Sequence, residues 1–120
     1  EGLKTGLAKL KDIRMEFETE LFIPGSKEGL NVELDKAFRL NDFITMGELI
    51  AYDALNRNES CGGHFREEYQ TEEGEAKRDD ENFFYVACWE YQGSDDKAPV
   101  LYKEPLVYEA IKVQTRNYKS

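Results

Sequence analysis

Cysteine, histidine and proline are scarce in this chain of 120 residues, which contains two cysteines, one histidine and three prolines. Cys61 and Cys88 lie far apart and form no Cys-x-x-Cys pair, unlike the dense cysteine frameworks of small secreted domains. We therefore predict free thiols in a reducing, cytoplasmic compartment. Cys61, His64 and Cys88 are the soft metal-ligand candidates, but a structural zinc site commonly has four ligands in two close pairs. No metal is expected.

Long apolar runs and basic clusters are also missing. No stretch approaches the ~18 apolar residues that a membrane-spanning helix requires. The chain has 16 Lys and Arg against 25 Asp and Glu, for a net charge of −9, and the acidic excess lies before residue 83. Without a basic face to neutralise phosphates, nucleic acid is not expected as a partner. A dinucleotide-type Gly-x-Gly-x-x-Gly loop is absent as well.

Cys61 and His64 could also be read as a nucleophile and its base. Catalytic pairs of this kind are normally assembled from separate elements, with a third group that orients the histidine. Nothing in the surrounding sequence indicates an acyl pocket. We therefore do not expect Cys61 and His64 to act as a nucleophilic pair.

The first 56 residues have the periodicity of two helices. Apolar residues at three- and four-residue steps predict a first helix from about Leu3 to Leu21, which ends before Pro24-Gly25-Ser26. Its stripe comprises Leu3, Leu7, Leu10, Ile13, Phe17 and Leu21. A second helix is predicted from about Leu30 to Asn56, with Asn31 as its cap. Its own stripe comprises Leu34, Ala37, Phe38, Ile44 and Ala51.

The second helix has more apolar residues than one partner helix can cover. In its C-terminal half they spread around the helix, at Phe43, Ile44, Met46, Leu49, Ile50, Tyr52 and Leu55. A helix that is apolar on more than one side must be covered on more than one side. Two helices alone make a poor core. We therefore predict a third helix or a large partner outside this chain.

The helical period stops after Asn56. The Cys61-Gly62-Gly63 stretch predicts a backbone break, and Glu72–Glu75 an exposed, mobile loop. The aromatic run Phe83–Tyr91 predicts a strand. After a turn at 93–96, Val100-Leu101-Tyr102 is the candidate partner strand, and the tail is expected to be extended. The predicted fold class is mainly α: an antiparallel helical bundle (helical pair 1–58), a charged loop (59–82) and an extended tail with a short β-hairpin (83–120).

Two charged clusters flank the loop at Glu72–Glu75. They comprise His64, Arg66, Glu67 and Glu68, and then Arg78, Asp79 and Asp80. One reading is a solvated acidic loop whose surface ion pairs contribute ~0–1 kcal/mol each. In the other, Gly62 and Gly63 let the backbone approach another surface, so that His64 and Arg66 bond to its carbonyls or carboxylates. Composition alone favours the first reading.

The linear order of these residues resembles a known family. The stretch Asn56–Glu68, NRNESCGGHFREE, followed by Arg78–Phe83, RDDENF, is similar to a signature near the C-terminus of succinate dehydrogenase and fumarate reductase flavoprotein subunits. That pattern is approximately E-S-R-G-A-H-x-R-x-D, then R-[DN]-D. Residues 48–55 and 113–118 fit the same region, so the resemblance covers essentially the whole chain.

The resemblance has departures. Cys61 stands where the family usually has Arg, Gly63 where it has Ala, and Glu68 where it has Asp. The stretch Tyr69–Lys77 is longer than the common version. These differences indicate a divergent branch, and they put in doubt any contact that the missing Arg would make.

The resemblance implies a fold and a place in a larger protein. The matching region is a three-helix, spectrin-repeat-like bundle with a partly β tail, so its first helix would lie upstream of Glu1. A first residue other than Met fits that expectation. In the family, substrate-binding and flavin-linking residues lie in other domains, so no catalytic or cofactor-binding residue carries over to this chain. His64, Arg66, Arg78 and Asp79 are the predicted structural or interface residues, which would fasten the loop to the flavoprotein core.

The implied parent enzyme interconverts succinate and fumarate with FAD. Its partners are an iron–sulfur subunit and a membrane cytochrome anchor, which would place it on the cytoplasmic face of the cell membrane. This chain would pack against the FAD-binding domain and contribute structure. The alternatives are the corresponding domain of L-aspartate oxidase, which lacks the iron–sulfur and membrane subunits, or a free-standing acidic interaction domain. An FAD-binding sequence upstream of Glu1 would exclude the free-standing case.

Overall fold

The structure, a computed structural model, describes residues 1–94 and 97–115. Its elements are α1 (Gly2–Glu20), α2 (Val32–Asn56), a short α3 (Asp80–Phe83), β1 (Tyr85–Glu90) and β2 (Val100–Pro105). The chain forms two compact units, Glu1–Asn56 and a second unit that begins at Arg57. The predicted fold class, mainly helical with a short β-hairpin, is confirmed. In the described ranges, no helix is long and apolar enough to cross a membrane.

The two long helices of the first unit run antiparallel. Leu10 lies beside Gly47, since a Cβ there would be 3.7 Å from Leu10 Cδ2. One turn further along α1, Arg14 reaches back to Thr45 on α2. Because later residues of α1 meet earlier residues of α2, their directions are opposed. The absence of a side chain at Gly47 leaves room for this close approach.

An ion pair adds to the apolar contact between the middles of these helices. Arg14 Nη2 lies 2.5 Å from Glu48 Oε2, and the side chains are only 14% and 24% exposed. Arg14 Nη2 also donates to Thr45 Oγ1 at 3.1 Å. Ile13, expected on the apolar stripe, is instead 46% exposed. The stripe prediction was wrong there because the adjacent Arg14 occupies the covered position.

Asn31 organises the connection between α1 and α2, as the sequence predicts. Its Oδ1 accepts from the main-chain amides of Glu33 (3.1 Å) and Leu34 (3.2 Å), which satisfies two of the orphan donors at the start of α2. Its Nδ2 donates to Pro24 O at 3.1 Å. Gly25, at φ +112°, lies so close that an added Cβ would be 2.7 Å from Asn31 Nδ2. A side chain at Gly25 would therefore disturb the cap.

The first unit covers little of its apolar surface. Ala37 and Ile44 are its buried residues among those described. Large apolar side chains elsewhere on α2 are well exposed: Phe38 (65%), Phe43 (68%), Met46 (52%) and Ile50 (65%). The predicted excess of apolar surface on α2 is therefore present in the structure.

The predicted strand at Phe83–Tyr91 begins later than expected. Phe83 ends the one-turn helix α3, and β1 starts at Tyr85. The reason is Asp79, whose Oδ1 accepts from the Asn82 amide at 3.2 Å and so favours a helical turn at that point. Aromatic content alone predicts a strand from Phe83, but the Asp79 cap holds Phe83 in a helical turn.

β1 and β2 form a two-stranded antiparallel sheet. The register pairs Tyr85 with Pro105 and Glu90 with Val100, so β2 extends three residues beyond the predicted Val100–Tyr102. Part of the predicted turn at 93–96, namely residues 95 and 96, lies outside the described residues. On the outer face, Tyr102 Oη donates to Glu90 Oε2 at 3.1 Å. This hydrogen bond, with the negative charge of Glu90, raises the pKa of Tyr102 above its ordinary value.

Candidate functional site

The segment that carries the family-like motif is folded around two buried polar residues. Glu59 is 3% exposed and Ser60 is fully buried. Buried polar groups are costly unless they are hydrogen-bonded. Both residues have complete sets of partners, and these partners define the geometry of the whole segment.

Glu59 joins two distant parts of the second unit. Its Oε1 accepts from Arg57 Nη1 at 2.7 Å, and its Oε2 accepts from the main-chain amide of Asp79 at 2.9 Å. Charge-assisted hydrogen bonds of this kind are among the strongest in proteins. The carboxylate therefore holds the start of the segment against the turn that precedes α3.

Arg57 extends this connection to the β-sheet. Its Nη1 also donates to Phe83 O at 3.0 Å, and its Nη2 donates to Tyr85 O at 3.2 Å. The guanidinium carbon lies 5.7 Å from the centre of the Phe83 ring and 5.2 Å from that of Tyr85, within the range of cation–π attraction. Arg57 and Glu59 together fix where α3 ends and β1 begins.

Ser60 closes the loop that contains the two glycines. Its Oγ accepts from the Arg66 amide at 2.8 Å and donates to Arg66 O at 3.1 Å. Its own amide donates to Lys77 O at 2.9 Å. Inside this loop, Cys61 and His64 exchange two main-chain hydrogen bonds of 2.8 and 3.0 Å. Gly62 has φ +58° at the turn, which agrees with the predicted backbone break.

His64 and Arg66 point back into their own segment. His64 Nε2 lies 3.0 Å from Arg57 O, and because a carbonyl can only accept, this nitrogen carries the proton. Arg66 Nη1 donates to Asn58 Oδ1 at 2.9 Å and to Arg57 O at 3.4 Å. Its guanidinium carbon lies 5.0 Å from the centre of the Tyr69 ring. His64 and Arg66 therefore stabilise the loop from within.

The carboxyl of Glu68 has a pKa below its ordinary value. A hydrogen bond from its own main-chain amide lowers its pKa, and the Arg66 guanidinium lowers it further. Arg66 Nη2 lies 3.5 Å from Glu68 Oε1. The Glu68 side chain is 54% exposed, so this pair is a solvated one that contributes little to folding.

Arg78 and Asp79 make different contacts. Arg78 donates from Nε (2.9 Å) and Nη2 (2.6 Å) to Asp80 Oδ1, and from Nη1 to Gln114 O at 3.2 Å. Asp79 caps α3 through its side chain and bonds to Glu59 through its amide. The structure thus places all four predicted site residues in one unit, each with intramolecular partners. Their predicted attachment to another domain stays a prediction.

The loop between the two motif clusters is itself a small hairpin. Gln70 pairs with Ala76, and Thr71 N donates to Glu75 O at 2.9 Å. Gly74, at φ +80°, occupies the tight turn. Glu72 and Glu73 are exposed, as predicted, but Glu75 is half-buried, so the prediction of an exposed loop over Glu72–Glu75 was wrong at its last residue.

Cys61 takes part in this segment through its main chain, and the thiols of both cysteines form no disulfide. Cys61 and Cys88 are free and exposed. Within residues 1–94 and 97–115, no three His, Cys, Asp or Glu side chains are grouped so that they could hold a metal ion.

Sequence reasoning missed the residues at the centre of the site. Arg57, Glu59 and Ser60 were not among the four candidates, although all three lie in the quoted motif. Their signal was the motif itself, in which Glu59-Ser60 matches the Glu-Ser of the family pattern. The sequence pattern favoured His64 and Arg66, whose side chains have evident chemistry, over Glu59 and Ser60, which are buried.

These features define a mainly helical domain with an internally bonded charged loop. The family model of the fumarate reductase flavoprotein C-terminal domain matches residues 1–118. The chain therefore belongs to the family of C-terminal domains of fumarate reductase flavoproteins, and the resemblance is confirmed. No curated protein and no solved structure matches the chain significantly.

Proposed function

We propose that residues 1–120 form a single structural domain at the C-terminus of a succinate dehydrogenase or fumarate reductase flavoprotein subunit. The parent subunit interconverts succinate and fumarate with FAD. Electrons pass through an iron–sulfur subunit to or from a quinone, at a membrane cytochrome anchor on the cytoplasmic face of the cell membrane. The chain itself supplies no catalytic or cofactor-binding residue.

The family match over residues 1–118 carries this proposal. The geometry of the motif supports a structural role for it. Arg57 and Glu59 bond to each other and to main-chain groups of the second unit. Polar groups that are engaged in this way hold a backbone shape and have little capacity left for a substrate.

The helical unit supports packing against a larger body. Phe43, Met46 and Ile50 lie three, four and seven residues apart along one face of α2 and are 68%, 52% and 65% exposed. Apolar side chains grouped on a helix in this way are typical of a surface that another protein body covers. We assign the FAD-binding domain of the same subunit as the body that covers α2, with the iron–sulfur subunit as a further neighbour.

We propose that the loop closed by Ser60 and Arg66, here termed the motif loop, contacts the flavoprotein core with the side chain that its folded shape presents outwards. His64 and Arg66 hold the loop from within. Phe65, between them, is 51% exposed and is available to that core. The four predicted interface residues therefore act as positioning residues for the loop, and Phe65 makes the contact.

Phe43→Ser in the full-length parent subunit tests the covered helix face. We expect the yield of assembled complex to fall roughly tenfold, since truncating an apolar anchor at the centre of an interface costs more than about 1 kcal/mol and about 1.4 kcal/mol corresponds to a factor of ten. The helix content of the chain should not change, because Phe43 is exposed within it. Size-exclusion chromatography with mass analysis of the co-purified iron–sulfur subunit gives the yield.

Asp42→Ser is the matched control, an exposed neighbour on the same helix changed to the same residue, and it should assemble normally. Arg66→Ala is expected to reduce both assembly and the stability of the chain, because Arg66 holds the loop. Wild-type assembly of both Phe43→Ser and Arg66→Ala would contradict the proposed role.

A further inference from the structure

Within residues 1–94 and 97–115, each strand of the β1–β2 sheet has a single neighbouring strand, so the sheet has two outer edges. An outer edge presents main-chain N–H and C=O groups with which a strand of another chain can pair. In an antiparallel pair, successive residues point these groups alternately towards the partner strand and away from it. Leu106 N donates to Phe84 O at 3.2 Å, so the next residue, Tyr85, points its carbonyl to the outer edge of β1. By the same alternation, Ala87 points its main-chain groups to that edge.

Arg57 closes the start of this outer edge with its side chain. Its Nη2 donates to Tyr85 O at 3.2 Å, and its Nη1 donates to Phe83 O at 3.0 Å. The Arg57 side chain is only 19% exposed, so the guanidinium lies over the backbone instead of extending into solvent. A strand that approached β1 at this point would find the first carbonyl acceptors already bonded.

The guanidinium is held in this position from several sides. Glu59 Oε1 accepts from Arg57 Nη1 at 2.7 Å, and the Phe83 and Tyr85 ring centres lie 5.7 and 5.2 Å from the guanidinium carbon. An incoming strand would have to displace these charge-assisted contacts. Because charge-assisted hydrogen bonds are stronger than the neutral ones that a strand offers, the exchange is unfavourable while Arg57 is present.

The outer edge of β2 is protected in a different way. Pro105 is paired with Tyr85, and Lys103 is paired with Ala87, so both occupy outward positions on β2. Proline has no N–H to offer to a further strand, and lysine is a residue that natural edge strands use against edge-to-edge pairing. On β1 the position opposite Lys103 is Ala87, which has neither property. Protection of the β1 edge therefore depends on Arg57.

We propose that Arg57 caps the outer edge of β1 and thereby prevents a second copy of this chain from adding its own strand. Without the cap, the carbonyl of Tyr85 becomes available beside the outward N–H of Ala87. Two copies can then align their β1 strands antiparallel about Ala87, in one isologous contact. The proposal stands on the contacts within the second unit and does not rest on the function of the parent subunit.

Sedimentation velocity of the full chain of 120 residues, in reducing buffer so that the exposed thiols stay free, measures this self-association. We expect Arg57→Ala to lower the dissociation constant of the dimer about tenfold relative to the wild-type chain, because the freed carbonyls can accept hydrogen bonds from a second copy. Adding Ala87→Pro to Arg57→Ala should restore the wild-type constant, since proline removes the outward N–H in the middle of the paired strands.

Ser60→Ala is the control for a loss of stability in the same segment. It removes the two Oγ hydrogen bonds to the main chain of Arg66 but leaves the Arg57 cap in place, so its dissociation constant should match that of the wild type. An Arg57→Ala chain with the wild-type constant overturns the proposal. A Ser60→Ala chain that associates as tightly as Arg57→Ala also overturns it, and so does a failure of Ala87→Pro to reverse the change.

A second variant serves if Arg57→Ala alone does not fold, which the fluorescence of Trp89, the single tryptophan, would show. Arg57→Ala combined with Glu59→Ala removes the cap without leaving a buried charge alone. It should associate as tightly as expected for Arg57→Ala, and association at the wild-type constant would count against the cap.

Discussion

Glu59→Ala is expected to lower the free energy of unfolding of the second unit by about 3 kcal/mol. The substitution leaves the Arg57 guanidinium, whose side chain is 19% exposed, without its carboxylate. It also leaves the Asp79 amide without an acceptor. Removing one partner of a buried ion pair costs more than the pair contributes, because the remaining charge stays desolvated. Urea unfolding followed by Trp89 fluorescence reports on this unit, since Trp89 lies in β1.

Two further variants test whether the effect of Glu59→Ala comes from the loss of the Arg57–Glu59 ion pair. Glu67→Ala removes an exposed glutamate from the same segment and should change the midpoint little. Arg57→Ala combined with Glu59→Ala should be less destabilising than the sum of the two single changes, because neither charge is then left alone. If the two effects simply add, Arg57 and Glu59 do not act as a pair, and this account of the site is wrong.

Ile44→Ala is expected to destabilise the helical unit by about 2–3 kcal/mol. Ile44 is 4% exposed and is the largest buried side chain of α2. The loss combines the transfer free energy of the deleted methyl groups with the cavity that they leave. Because the unit has so small a core, neighbouring side chains can partly collapse into that cavity, which keeps the loss near the lower end of the usual range. Far-UV circular dichroism follows this transition, because the long helices dominate that signal.

Ile50→Ala provides the matched control for Ile44→Ala. It is the same substitution on the same helix, and the change in helix propensity is therefore the same. Ile50 is 65% exposed in the chain, so its loss should change stability by less than about 0.5 kcal/mol. Equal effects at Ile44 and Ile50 would show that the helix pair has no core centred on Ile44.

The helical half of the fold could be predicted from the sequence because its signals are local. Leucine spacing defined α1 to within a residue or two, and Asn31 was identified as the α2 cap from its type and position alone. Arg14 could not be predicted as the contact with α2, because its covered position depends on Glu48, 34 residues away. The first residues of the predicted strand were wrong for a local reason, the Asp79 cap.

The sequence predicts which segment forms the site, but it does not predict the contacts that the side chains of this segment make. Residue order identified the family, yet nothing in that order shows that His64 turns inward to Arg57 O while Phe65 turns outward. Burial of Glu59 and Ser60 depends on Lys77 and Asp79, which follow after the hairpin closed by Gln70 and Ala76. Long-range contacts of this kind are set by how the loop closes.

Residue 61 acts in the loop through its main chain, which explains how Cys61 can stand where the family resemblance predicts arginine. Its amide and carbonyl both bond to His64, and its side chain is exposed. The turn therefore needs the backbone of residue 61 and places little demand on its side chain. A substitution at this position leaves the hydrogen bonds of the loop intact.

The absorbance spectrum of the full-length protein that contains this chain tests the central claim most directly. Under the proposal, the parent subunit carries FAD and the 120-residue chain holds no part of its site. We therefore expect flavin absorbance from the full-length protein, bleached on reduction, and none from the purified chain alone. Bound flavin in the isolated chain, or a full-length protein without flavin, would contradict the assignment of this chain as a non-catalytic flavoprotein domain.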